Sequence, residues 1–504
     1  MPDEQRQKIL VLCDESGMGK GGVPVFNQQI SVALAAQGHD VTLLTVKPVE
    51  SEHDGVTLRT TAPLPDHVEG RDWLKQQCAT RNPAELGLPD PRQQQFDLII
   101  GHSRFSGPAA VAMRDAWYPE ARVAHFLHTS PERLPQVKYA DNPAKAAEKG
   151  SEHSGIERVV MARVDLVVGV GPLLTDEAKR LAAKNERVPS AHELVPGTRI
   201  EPLVQRNPQQ QEGPLQLLAL GRAGDPLKGF EDAARAVKLL NDQGVAVHLT
   251  VRGAPEHLVP GLQQQLSDLS GGHVTLRPFS DKPDAIANDI RNADAVVMPS
   301  KHEGFGLVAT EALGHGVPVL VNEESGAARF LKDANRVPAE LSASSVVPEP
   351  ANPAHRVKAW AAAIHQLKEQ LPQRVEQAGR LREFLKSYSW ENAATALAEA
   401  ASTAPVPGTG PTAAQQARAT VQGPQGTVVQ TSQSATQSPG SPAQGPQSPL
   451  AKAAALTSRG RSGTGGAAQG GGSGTQGPAQ QRSAPAARPQ VPQPPKPQGG
   501  GPSR

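Results

Sequence analysis

Two successive series of short, mostly apolar runs, five in each, constrain this chain more than any other feature. The first series covers 9–12, 41–44, 98–100, 123–127 and 166–170; the second covers 215–220, 245–251, 274–276, 295–298 and 317–321. Runs this short, bounded by turn residues and separated by helical stretches, read as strands buried on both faces of a parallel sheet. Their alternation with helices predicts two doubly wound α/β domains in tandem. The boundary is expected near Val195-Pro196-Gly197-Thr198, where Pro and Gly interrupt the pattern. A length of 504 residues accommodates both domains and excludes a single small binding module.

From Thr403 onward the chain becomes Pro, Gly, Gln, Ser and Ala, with no aromatic residue, no Asp and no Glu. Such a segment cannot bury enough apolar surface to offset roughly 1–2 kcal/mol of backbone entropy per residue, so 403–504 reads as a disordered tail. The formal charge of +1 therefore hides an acidic body and a basic tail, because eight of the 51 basic residues and none of the 50 acidic ones lie there. The tail suits an acidic partner or serves only as a solubilising appendage. No global basic excess points to nucleic acid, and nothing supports a peripheral membrane contact. With Cys13 and Cys78 alone, no disulfide framework and no Cys-rich zinc site can form. The polar start Met1–Arg6 resembles neither a signal nor a transit peptide, and no apolar run approaches the ~20 residues of a membrane span, so a cytoplasmic location is expected.

Directly after the first strand, Gly17-Met18-Gly19-Lys20-Gly21-Gly22 precedes a helix that is expected to start at Pro24 and end at Gly38. The loop formally fits G-x-G-x-x-G, but the second strand ends Leu44-Thr45-Val46-Lys47 without the acid that a dinucleotide ribose requires. A Walker loop fails as well, since Lys20 is followed by Gly21. What is left is a glycine loop at a helix N-terminus, able to approach an anion or a sugar hydroxyl closely, or a plain tight turn.

The most informative stretch, 299–315, follows the strand at 295–298. Glu303 precedes a glycine loop, and a helix beginning near Gly306 sets Glu311 one to two turns along it. Both acids then stand near the strand ends, where doubly wound sheets bind ligands. The N–H groups of Gly304, Phe305, Gly306 and Leu307 are placed to meet an anion, and the carboxylates suit hydroxyls of a sugar or ribose.

These residues carry a resemblance. Glu303-x7-Glu311, within E-G-F-G-L-x-x-x-E-A-L-x-x-G-V-P-V, resembles the signature of the retaining GT-B glycosyltransferases, the family of sucrose synthases and bacterial mannosyl- and N-acetylglucosaminyltransferases. The similarity runs over most of 8–400. It implies a GT-B fold: an acceptor domain at 1–196 and a nucleotide-sugar domain at 197–375, both Rossmann-like and facing a cleft. A C-terminal helix at 376–402 would cross back, introduced by Ser389-Trp390-Glu391, which resembles the family's S-W-E. The resemblance implies that Glu311 binds the nucleotide ribose and Glu303 faces the donor sugar. It further implies that Arg222 and Lys228 of G-R…K-G clamp the diphosphate, that Gly21-Gly22 form the N-terminal glycine loop, and that His128 meets the donor sugar across the cleft. Glu323-Glu324-Ser325-Gly326 stands where the family usually shows Gly-Gly.

Glycosyl transfer with retention needs the departing diphosphate stabilised, and Arg222, Lys228 and the N–H groups at 304–307 would supply this. No dedicated nucleophile is needed if the departing phosphate oxygen takes the acceptor's proton. No D-x-D-like motif stands nearby, and His102, His125 and His128 lack a carboxylate at ligand spacing, so no metal and no cofactor are expected. Arg104 and Glu132 are candidate acceptor contacts, while Asp165 and Asp294 read as strand-opening caps. The donor is a nucleotide-diphosphate sugar and the acceptor is unidentified. Two alternatives stay open: a nucleotide-sugar epimerase of the same fold, and a non-catalytic nucleotide-sugar-binding scaffold.

Overall fold

The computed structural model describes residues 6–17, 21–50, 53–203 and 213–405. Seven strands form the first sheet: β1 (Lys8–Cys13), β2 (Asp40–Thr45), β3 (Val56–Thr60), β4 (Leu98–His102), β5 (Arg122–Leu127), β6 (Leu166–Val170) and β7 (Ser190–Leu194). They are parallel throughout, in the order β3-β2-β1-β4-β5-β6-β7. The second sheet holds β8 (Leu215–Leu220), β9 (Val247–Ala254), β10 (Val274–Pro278), β11 (Ala295–Met298), β12 (Val319–Asn322) and β13 (Val346–Val347), parallel in the order β10-β9-β8-β11-β12-β13. Each order reverses beside its first strand, between β1 and β4 and between β8 and β11, which opens a crevice at the carboxyl ends of those strands. Both sheets lie in one compact unit.

The central strands are apolar because helices cover both their faces: Ile9, Leu10, Val11 and Leu12 are fully buried, as are Ile99, Ile100, Ala295 and Leu320. Asp165 and Asp294 open their strands as expected of caps. An Asp165 carboxylate oxygen accepts from the Val123 N–H at 2.9 Å, and one of Asp294 accepts from the Gln216 N–H at 2.7 Å. Both cysteines are free and buried. Among the described residues no helix is long and apolar enough to cross a membrane.

Several boundaries differ from the sequence expectation. The first helix is Gly22–Ala36 and not one begun at Pro24, since Gly21 turns the chain at φ 118° and frees the next residue to be helical. The segment expected as one helix over 376–402 is divided between Leu371–Leu385 and Trp390–Thr403, where Ser389 caps the second helix by accepting from the Asn392 N–H at 3.1 Å. That last helix packs on Gly22–Ala36. Its Ala394, Leu397 and Ala401 enter the core of the first sheet, and the Gln37 side-chain amide donates to the Glu391 carbonyl at 2.6 Å. Because Thr403 is helical and Ala404 buried, the folded body reaches past the expected start of the tail. The remainder of the tail, 406–504, lies outside the described residues.

Candidate active site

The second sheet builds its side of the site from two loops at its crevice. After β8, Asp225 caps a short turn at Pro226–Lys228 by accepting from the Leu227 N–H at 3.0 Å, and this turn projects Lys228. After β11 comes the glycine loop ahead of the helix Leu307–Gly314. Glu303 in this loop meets Lys228 across 75 residues of sequence, with Nζ 2.7 Å from Oε2 and both side chains partly open to solvent.

Two glycines shape the loop for physical reasons. Gly306 ends it in the left-handed region at φ 98°, which an L side chain rarely adopts, and so points the chain into the helix. Gly304 has a different constraint. A Cβ there would lie 2.1 Å from the His128 carbonyl oxygen, so the backbone of one half rests on the backbone of the other. Phe305 is buried with its ring against Gly171 of the first half and edge-on to Phe330. Its side chain therefore joins the halves, and only its backbone is available to a ligand. Among the described residues none accepts from the N–H groups of Gly304, Phe305 or Gly306, which leaves those donors open at the helix N-terminus.

Glu311 lies four residues inside that helix. Burial raises its carboxyl above the ordinary glutamate range, and no described side chain bonds it. Arg222 is placed otherwise: its side chain is 79 % exposed and rests 3.4 Å from Asp225, whereas Lys228 is turned inward to Glu303. Glu323 accepts from the Glu349 N–H at 2.7 Å, and Glu324 pairs with Arg133 of the first half at 3.3 Å. A cavity of about 250 Å³ continues the cleft between Ser130, Arg133, Glu177, His302 and Glu324.

On the first sheet, His128 follows β5 and is 9 % exposed. Its Nε2 lies 2.9 Å from His102 Nδ1, and Phe26 approaches its ring edge-on at 4.9 Å. Burial holds both rings far below the usual histidine value, His102 to about 3. His125 has the carboxylate partner that sequence spacing did not reveal, since Glu157 lies 2.7 Å away with both fully buried. No group of three or more potential metal ligands occurs among the described residues. At Gly22, a Cβ would meet no described atom within 4 Å; Met18, Gly19 and Lys20 of the same glycine loop lie outside the described residues.

Of the two candidate acceptor contacts, Glu132 is committed to protein, bonding Arg180 at 3.0 Å and accepting from the Ser154 hydroxyl at 3.2 Å. Arg104 is not. Its guanidinium stacks on Phe105 at 4.4 Å, and its Nε is buried without a partner. Arg104 opens the helix after β4, Arg71 starts the helix after β3, and His153 lies on Pro143–Met161; sequence reasoning singled out neither Arg71 nor His153. Burial lowers Arg104, and Arg71 adds to the effect against the opposing pull of Glu157. Burial likewise lowers His153, with Arg104 next in weight, and its Nδ1 is buried without a partner. Glu152 offsets part of this charge but is itself bonded to Lys149 at 2.7 Å.

Comparison with known proteins completes the description. A family model described as "Family 4 Glycosyltransferase in conflict systems" matches residues 10–397. A D-inositol 3-phosphate glycosyltransferase from Geodermatophilus obscurus is 30 % identical over 439 residues, covering 79 % of this chain and 90 % of the relative. Another, from Jonesia denitrificans, is 27 % identical over 410 residues and covers 74 % and 89 %. Among solved structures, the sucrose-phosphate synthase of Thermosynechococcus elongatus superposes with a TM-score of 0.59 at 21 % identity, covering 78 % of this chain and 98 % of that one, a likeness of fold.

Proposed function

Since the chain belongs to the family 4 glycosyltransferases of conflict systems, we propose that it moves a sugar, with retention of anomeric configuration and without a metal, from a nucleotide-diphosphate sugar to a phosphorylated polyol. The observation that carries the donor half of this reading is the meeting of Lys228 and Glu303 at 2.7 Å beside the His128–Gly304 contact. A cation for the diphosphate and a carboxylate for sugar hydroxyls then occupy one crevice, with open backbone donors at 304–306 and the unbonded Glu311 within the same loop and helix. Glu311 takes the ribose, Glu303 and His128 take the sugar, and Arg222 turns inward to join Lys228 on the diphosphate. In the transfer, the bond from the anomeric carbon to the diphosphate oxygen breaks and a bond to the acceptor hydroxyl oxygen forms on the same face. The hydroxyl proton passes to the departing phosphate oxygen. Lys228, already held in the crevice, and Arg222, once turned inward, stabilise the charge that develops there.

Two observations support a phosphorylated acceptor. The relatives' names specify D-inositol 3-phosphate, and the first half brings Arg71, Arg104 and His153 near one another, with Arg104 Nε and His153 Nδ1 buried without a described partner. The test is a thermal-shift panel of UDP-glucose, UDP-N-acetylglucosamine and GDP-mannose. A donor at 100 times its dissociation constant stabilises by about 2.7 kcal/mol. The donor so identified is then incubated with inositol 3-phosphate or with inositol. Nucleoside diphosphate released with the phosphate ester, and far less with free inositol, supports the reading. Equal release with neither acceptor present would remove transfer from it, and failure of Arg104→Ala to raise the acceptor KM would remove the phosphate contact.

A further inference from the structure

Five polar side chains, three from strand ends, one from a helix and one from a connection, form one buried hydrogen-bonded row. His128 follows β5, His102 ends β4, Asn27 lies on Gly22–Ala36, Ser16 follows β1 and His53 lies between β2 and β3. The links are His128 Nε2 to His102 Nδ1 at 2.9 Å, His102 Nε2 to Asn27 Oδ1 at 3.1 Å, Asn27 Nδ2 to Ser16 Oγ at 3.1 Å and Ser16 Oγ to His53 Nε2 at 2.9 Å. Asn27 and His102 are fully buried, and the other three are 9 % exposed or less.

A row of this kind has a direction, and the direction is set by chemistry. The Asn27 amide oxygen can only accept, so His102 Nε2 must carry a proton. A neutral His102 then has a bare Nδ1, which can only accept, so His128 must donate its Nε2–H to it. The Asn27 amide nitrogen donates to the Ser16 hydroxyl, which in turn shares a hydrogen bond with His53 Nε2. His128 is left with an unprotonated Nδ1, the ring nitrogen that no described residue bonds.

We propose that Asn27 and Ser16 are positioning residues which, through His102, hold His128 as the neutral Nε2–H tautomer and so present its Nδ1 lone pair to a hydroxyl of the donor sugar. The contact with sugar rests on the glycosyltransferase reading above; the tautomer does not. Few surroundings compete with the row for the proton. Phe26 and Phe126 pack against the two rings, and among the described residues the remaining titratable neighbours are His125, already bonded to Glu157, and His53 at the far end.

The free protein provides a test without any substrate. Nitrogen-15 spectra of histidine-labelled full-length chain, with the His128 signals assigned by their loss in His128→Asn, should show Nε2 protonated and Nδ1 bare between pH 6 and 8. An Nδ1–H tautomer would mean that the Asn27 amide is turned over and every bond in the row reversed, which overturns the proposal. Asn27→Asp gives a second, independent readout. A carboxylate against His102 Nε2 favours imidazolium there; His102 takes up one proton, its Nδ1–H donates to His128 Nε2, and the His128 proton moves to Nδ1. In this variant the nucleotide sugar chosen by thermal shift should bind about tenfold more weakly at pH 6 than at pH 8, the loss of roughly one hydrogen bond. The matching nucleoside diphosphate should bind equally at both, and the wild-type chain should show no such difference. A superimposable pH dependence of Asn27→Asp and wild type would overturn the relay. The expected tautomer combined with no nitrogen-15 shift at Nδ1 on adding the nucleotide sugar would overturn the sugar contact alone.

Discussion

At the scale of single residues, Glu303 and Glu311 share a motif but differ in surroundings, and their roles are separable by ligand. Glu303 is held by Lys228, whereas Glu311 is half-buried without a described partner. Glu311→Gln should weaken nucleoside diphosphate and nucleotide sugar alike, by roughly 1.5–3 kcal/mol, because both carry the ribose. Glu303→Gln should spare the diphosphate and lower transfer. Calorimetric titration of each variant with both ligands reads the difference, and equal losses of diphosphate affinity would refute it. Burial also gives Glu311 a pH signature. Its carboxyl is raised, and the ribose needs the anion, so wild-type nucleotide affinity should begin to fall on acidification above the usual glutamate value of about 4.5. In Glu311→Gln that acid limb should vanish.

At the scale of elements, the interior strands were legible and the margins were not. β1, β4 and β11 announce themselves because both faces are buried, which demands continuous apolar runs. Edge strands lack that demand: β3, Val-Thr-Leu-Arg-Thr, is half exposed, and β7, Ser-Ala-His-Glu-Leu, buries only Leu194. Val245 and Val317 look like strand starts, yet their strands begin at Val247 and Val319. In the site, Glu303, Glu311 and Lys228 were legible because chemistry concentrates in one loop and one turn. The row behind His128 was not, since Ser16, Asn27 and His102 are far apart in sequence; its only sequence trace is a polar Asn27 beside the inward Phe26. Elements also fix what substitutions cost. Leu397, fully buried where the last helix meets the first core, should lose about 2–5 kcal/mol of stability as Ala, measured by denaturant unfolding. Gly304→Ala sets backbone against backbone, which no rotamer change can relieve. It should lower both melting temperature and turnover, and an unaltered variant would show that the halves do not meet at that point.

For the whole molecule, folded sequence and appended sequence separate cleanly in composition. The last described helix ends at Thr403, with Ala404 still buried, and the following residues offer no aromatic or acidic side chain. A chain ending at Pro405 should therefore melt within a degree or two of the full chain and bind the same nucleotide sugar equally well; a large drop would assign the removed residues a part in the core. Ending the chain before Trp390 should be far worse, because the first sheet's core would lose its Ala394, Leu397 and Ala401 contacts.

The Lys228–Glu303 pair has a consequence for the rhythm of turnover. In the structure the ammonium and the carboxylate satisfy each other. On the proposed function, a complete donor would offer a substitute to both at once, phosphate oxygens for Lys228 and sugar hydroxyls for Glu303. A spent donor would offer only the first. Once the sugar had left, Glu303 would be an unmatched carboxylate beside a cation on loan to the departing diphosphate, and would compete to recover it. On that function, the same two atoms that admit the intact donor would help to eject what is left of it, so that product release would draw on the ion pair itself.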